Sequence, residues 1–369
     1  MATDSQTGEG VSGAAEAPVA PPAADKRLAR LLRSLGPVLS AFLGSFLIGG
    51  VLVLVSGENP LTAYAAMVRG ALGDPYNMAV TVTRAMPIVG AGIAAAIAFK
   101  AGLINIGGEG QLVLGGLCAA VVALFVSPPG PHVAALALAA AMLGGGLWAL
   151  LTGWLETRFN VPILVSSLLL NFIAAGFVSF MIGFPLLEVG GARSQTAMIA
   201  EASRLPRLAA GSTLHAGLFL IVAVIVLSTF VLRRTVSGYE LRLFGANREF
   251  AVAGGVNPVR MTLVTMFASG AIAGLVGAIQ VLGFHFRLIE GALISSGFAW
   301  SGVMAAILAR NDPLGVVVAG LFFAAVDTGA SGMERATNIP FELSFILQAI
   351  VILLIASRGA FRRVIRRDD

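Results

Sequence analysis

Long apolar runs alternate with short polar segments along this chain, and the polar segments carry most of its arginines. A helix needs about 20 apolar residues to cross about 30 Å of hydrocarbon. On that measure ten runs are candidate crossings: 35–55, 84–100, 111–127, 133–155, 162–184, 214–232, 260–283, 296–309, 313–329 and 342–357. The run at 296–309 is short and 111–127 follows a glycine-rich break, so each fits a re-entrant segment as well as a crossing. The expected fold is an all-α polytopic membrane protein of about ten transmembrane helices, with broken or re-entrant segments.

Composition supports that class. The chain is 57% hydrophobic and 12% charged, with a mean hydropathy of +0.90, whereas soluble domains are about 25% charged. Residues 1–25 hold too few large apolar side chains to pack and read as a disordered cytoplasmic tail. Residues 26–369 form the transmembrane domain. The basic balance, 24 Lys and Arg against 19 Asp and Glu, is topological rather than a sign of nucleic-acid binding. Lys26, Arg27, Arg30, Arg33, Lys100, Arg158, Arg233, Arg234, Arg242, Arg248, Arg260, Arg310 and the arginines at 358–367 fall on one side, and Arg84 falls on the other or at its interface. By the positive-inside rule both termini are cytoplasmic. Segment 185–213 is then an outer loop and 233–259 a cytoplasmic one.

Metal and thiol chemistry are not indicated. Cys118 is the lone cysteine, and His132, His215 and His285 lack ligand spacing. No cofactor is implied, and no nucleophile–base constellation suggests an enzyme.

Candidate chemistry concentrates at Asn105-Ile106-Gly107-Gly108-Glu109-Gly110-Gln111. A carboxylate at membrane depth is costly unless it faces protein or water, and glycines let the backbone open there. Asn105, Glu109 and Gln111 either line a pathway or bond backbone groups freed by a broken helix; the second role is preferred. Asn171, mid-span, bonds a neighbouring helix or faces the pathway. Gln280, His285, Trp300 and Ser301 flank a second irregular region, 291–302. Phe284-His285-Phe286 reads first as an interfacial anchor and second as a stacking platform for a flat base. Interrupted helices in matching positions mark transporter binding sites.

The segment 233–259 carries a second signal. Asn247 is a good helix N-cap with Glu249 in the first turn, and Gly254-Gly255 would end the helix. Ala251 and Val252 would enter a groove on a partner. Gly245-Ala246-Asn247, Ala251 and Gly254-Gly255 resemble the coupling segment of the ABC importer permeases for simple sugars, nucleosides and branched-chain amino acids. The heptapeptide resembles the Asn-Ile-Gly-x-Glu-Gly-Gln signature of the nucleoside-type branch. Leu169-Leu170-Asn171 stands where Met-Leu-Asn is expected. The resemblance covers about residues 35–360.

This resemblance implies a permease subunit of the bacterial inner membrane that imports nucleosides. Its substrate pathway would use Asn105, Gly107, Gly108, Glu109, Gln111, Asn171, Gln280, Trp300 and Ser301. Its ATPase contact would use Glu240, Arg242, Gly245, Asn247, Ala251, Gly254 and Gly255. The partners would be ABC ATPase subunits, a second permease and an extracytoplasmic substrate-binding lipoprotein. The chain contains no G-x-x-x-x-G-K-[ST] for its own ATP site. The alternatives are a simple-sugar or branched-chain amino-acid permease, and an ion-coupled transporter built around Glu109.

Overall fold

The computed structural model describes residues 43–190, 193–343, 345–350 and 353–354. The expected tail, the basic residues at 26–33, the start of the 35–55 run and the C-terminal arginines lie outside them. The described residues are helical, with three isolated antiparallel bridges and no strand.

Helix α1 (Leu43–Val55) bends by 118° into α2 (Pro60–Leu72). Asn59 caps α2 by accepting from the Leu61 N–H, and Pro60 sits where a missing N–H does no harm. No expectation from the sequence covered α2. At 13 residues, with Arg69 inside it, it falls below a crossing-length window. Helix α3 (Pro75–Lys100) is capped by Asp74 and begins well before the expected residue 84. Arg84, expected at the outer surface or its interface, therefore lies within a helix. Its guanidinium donates to the Asp327 carbonyl at 3.2 Å and to Ser331 Oγ at 3.1 Å.

Then come α4 (Gly108–Phe125), α5 (Pro131–Phe159), α6 (Ile163–Gly183) and α7 (Gly217–Arg234). Two short helices, α8 (Val236–Ala246) and α9 (Arg248–Ala253), precede α10 (Pro258–Gln280), which runs on as a π turn over Val281–His285. Helix α11 (Ala292–Ser295) leads into α12 (Phe298–Leu308), and α13 (Pro313–Ala336) follows. Residues 345–350 are again helical.

Among the described residues seven helices are long and apolar enough to cross a membrane: α3, α4, α5, α6, α7, α10 and α13. The bent α1–α2 pair would make an eighth. Helix α12, the run expected at 296–309, has 11 residues and rises about 16 Å, half of the hydrocarbon thickness.

Small residues set the packing, as expected where lipid offers no hydrophobic drive between helices. A methyl group on Gly115 would overlap the backbone of Gly274, one on Gly70 the backbone of Gly332, and one on Gly302 the backbone of α3 at Gly92. The two long central helices each pack on the other's short partner, α3 on α12 and α10 on α4. Lys100, Glu156, Arg233, α8, α9 and Asp312 gather at one end. Arg248 pairs with Glu156 at 3.6 Å and Arg233 with Asp312 at 2.7 Å. The 185–216 loop and residues 286–290 gather at the other, where Leu205 N–H donates to Leu282 and Thr196 N–H to Leu288.

Candidate functional site

The chain turns back after Lys100. Gly102 adopts φ +75°, a left-handed conformation that glycine tolerates. Residues 103–107 then climb beside α3. Ser269 Oγ of α10 donates to the Ala94 carbonyl at 2.7 Å and accepts from Asn105 Nδ2 at 3.0 Å. Asn105 is thus level with Ala94, about 9 Å inside the end of α3 at 1.5 Å per residue. Helix α4 starts from there, inside the protein.

A broken helix leaves backbone groups without partners, and at this depth they must be satisfied internally. Side chains do so here. Asn105 Oδ1 accepts from the Gly107 N–H at 2.9 Å and from Gln111 Nε2 at 3.1 Å, and its Nδ2 reaches Gln111 Oε1 at 3.3 Å. Ser167 Oγ accepts from the Ile106 N–H at 3.3 Å. Asn171 on α6 accepts from the Gly110 N–H at 2.8 Å and donates to the Ile106 carbonyl at 3.0 Å. Gly107 and Gly110 leave no room for a Cβ. One on Gly107 would press on Gln111 Nε2, and one on Gly110 would lie 3.0 Å from Asn171 Oδ1.

Glu109 stands apart from this bracing. Its carboxylate lies beside the Trp300 indole, and a Cβ on the adjoining Gly108 would lie 3.6 Å from that of Ala299. The first turns of α4 and α12 therefore meet. Trp300 is 41% exposed and Glu109 half-buried, so both present polar and aromatic surface beside the break. The support role expected for Glu109 is filled instead by Asn105, Gln111, Asn171, Ser167 and Ser269.

Ser301 turns away from that surface. Its hydroxyl donates to Gln348 Oε1 at 3.1 Å, and Gln348 Nε2 donates to Asp327 Oδ1 at 2.6 Å. Through Asp327 this chain reaches Arg84. The sequence reading missed Asp327 and Gln348. The signal was present, since a carboxylate inside the 313–329 run is costly without partners. Gln280 is buried at the end of α10, and its amide nitrogen has no hydrogen-bond partner among the described residues. Phe286 is taken up by Arg204 and Arg207, whose guanidinium carbons lie 4.7 and 5.7 Å from its ring centre. His215, fully buried in the loop before α7, accepts the Gly217 N–H through Nδ1. Burial, reinforced by the Arg207 charge, holds its pKa down at about 4.

The short helix expected after Asn247 is present as α9. Asn247 Oδ1 accepts from Phe250 N–H at 2.9 Å, and Gly254 and Gly255 close the helix, Gly255 at φ +93°. Ala251, however, is fully buried within this chain, and the large apolar residues that α9 exposes are Phe250 and Val252. A partner groove would therefore receive Phe250 and Val252 rather than Ala251. Helix α8 was not anticipated. It brings Gly245 onto the end of α3, where a Cβ would collide with the Lys100 carbonyl, and a Cβ on Gly102 would lie 3.4 Å from Gly245 Cα. Arg248 stacks on Phe244 at 5.3 Å. Arg242 is half-exposed, while Glu240 lines a cleft between α7 and α10.

The chain is similar to known proteins over most of its length. The family profile described as "Branched-chain amino acid transport system / permease component" matches residues 77–356. A glucose ABC transporter permease protein of Haloferax volcanii is 34% identical over 89% of this chain and 88% of its own. A guanosine ABC transporter permease protein of Bacillus subtilis is 32% identical over 92% and 97%. A nucleoside ABC transporter permease protein of Lactococcus lactis is 28% identical over 86% and 89%. No solved structure matches. With the profile spanning both the braced break and the α8–α9 segment, the chain belongs to the family of branched-chain amino acid transport system permease components.

Proposed function

We propose that this chain is the translocating permease of an ATP-driven importer for nucleosides in a bacterial cell membrane, with both termini cytoplasmic. The observation that carries the substrate is the Glu109–Trp300 pair. It lies where two helices begin inside the protein, and it is left out of the hydrogen bonding that holds the break. A half-exposed indole suits a flat base, and stacking on an aromatic ring contributes about 1–3 kcal/mol per base. The neighbouring carboxylate accepts from ribose hydroxyls or base N–H groups. The guanosine and nucleoside permeases among the relatives support the same class.

ATPase subunits would dock on α9 through Phe250 and Val252. Gly245 would pass their movement to the end of α3 and, through Gly102, to the break. A second permease subunit would complete the pathway, and a binding lipoprotein would deliver the substrate at the end formed by the 185–216 loop. A simple sugar is the second reading, favoured by the Haloferax relative.

Competition decides between the two readings. With the assembled importer in proteoliposomes, unlabelled nucleosides should block uptake of labelled guanosine while glucose leaves it unchanged. Glucose uptake that nucleosides do not inhibit would overturn the nucleoside assignment.

A further inference from the structure

A cleft of about 480 Å³ lies between α7 and α10, beside the coupling helices. That volume falls within the range of about 300–1,000 Å³ typical of small-molecule sites. The cleft exists because α7 packs mainly on α3 and α8, while α10 packs on α5, α4 and α3. Its walls are apolar, formed by residues such as Leu227, Val231, Val264 and Leu275. Helix α7 is a peripheral helix, most of its apolar length unburied, with Val226, Leu227 and Phe230 exposed. This cleft therefore faces hydrocarbon. An apolar slot does not hold water well, and left empty it forfeits the dispersion contacts of its lining. A hydrocarbon chain is the occupant that suits the walls.

The mouth of the cleft has a different chemistry. Glu240 of α8 and Arg260, in the first turn of α10, stand there with Ser237 and Asn257, at the end where Lys100, Arg233 and Asp312 gather. Among the described residues neither the Glu240 carboxylate nor the Arg260 guanidinium makes an ion pair or a side-chain hydrogen bond. One anion and one cation, both without partners at the membrane surface, complement a headgroup that carries both charges.

We propose that this cleft binds a zwitterionic phospholipid of the phosphatidylethanolamine type. One acyl chain fills the slot, the phosphate rests on Arg260 and the ammonium on Glu240. The bound lipid lies against α8 and so touches the segment that joins the spans to the docking helix. This assignment is independent of the transported solute.

The test uses the full chain in lipid nanodiscs with a phosphatidylethanolamine carrying a diazirine at the end of one acyl chain. Labelling should concentrate on Val224, Ile272 and Leu275, at the end of the slot away from the headgroup. Ala268→Phe, which fills the slot, should reduce it, and Glu240→Gln with Arg260→Gln should cut retention of phosphatidylethanolamine roughly tenfold, as expected for loss of a charge-assisted hydrogen bond. The wild-type labelling map decides the matter even if the filled variant folds poorly. Labels spread evenly over α5, α6 and α7 would overturn the proposal. So would labels that fall on residues 1–42 in place of the cleft, or phosphatidylglycerol retained equally well and indifferent to Glu240→Gln.

Discussion

Asn171 makes two of the side-chain bonds that hold the break, one through its amide oxygen and one through its nitrogen. Asn171→Leu would strand a buried N–H and a buried carbonyl, each costing about 1–3 kcal/mol. A large fall in the thermal midpoint of the purified protein is expected, together with loss of uptake. Glu109→Gln behaves differently. It keeps an acceptor for the Trp300 indole but removes the charge, so the midpoint should hold while the KM for guanosine rises roughly tenfold, the ratio for about 1.4 kcal/mol. His215 gives a pH signature. An unfolded chain protonates this ring near its ordinary value of 6.5 and the folded one near 4. Between those values the unfolded state binds more protons, so stability falls as pH drops from 6.5 to 4 and levels off below. Thermal midpoints taken across that window should decline for the wild type, and His215→Gln should remove that residue's share of the decline.

The sequence located the break at this scale but not its wiring. Asn105 and Gln111 are adjacent to the backbone they hold, yet Ser269 and Asn171 come from α10 and α6. Which polar group turned to the backbone and which to open space was decided by those distant partners. Arg84 and Asp327 were hidden for the same reason, being 243 residues apart.

Among the elements, α9 was legible because its signals are local: an Asn cap, an acid in the first turn and a glycine stop. Helices α2 and α8 were not, since each is short and has no uninterrupted apolar run. The direction in which α9 faces was equally hidden. Ala251 reads as a contact residue by its size and is buried by the fold, so docking is expected to depend on Phe250. Phe250→Ala should weaken ATPase association on the order of tenfold or more, as for an interface anchor of about 2 kcal/mol, measured by co-purification over a concentration series. Gly245→Val acts one step further in. It would push α8 off the end of α3, so the ATPase should still bind while its stimulation by substrate is lost.

In the whole molecule, two long helices cross and each supports the other's short partner, so the first turns of α4 and α12 meet at Glu109 and Trp300. Composition and run length revealed the membrane class, but run length alone could not separate α12, half the membrane in length, from a full span. Gly245 packs on Lys100 and Gly102 at the end of α3, and in the proposed mechanism this contact would carry nucleotide-driven movement from α9 to the break. ATP-dependent uptake of guanosine by the complex in proteoliposomes tests this directly. Uptake should require ATPase subunits and ATP, fall with Phe250→Ala through lost docking, and fall with Trp300→Ala while ATPase binding stays intact. Guanosine accumulation by the permease without ATPase subunits would contradict the account.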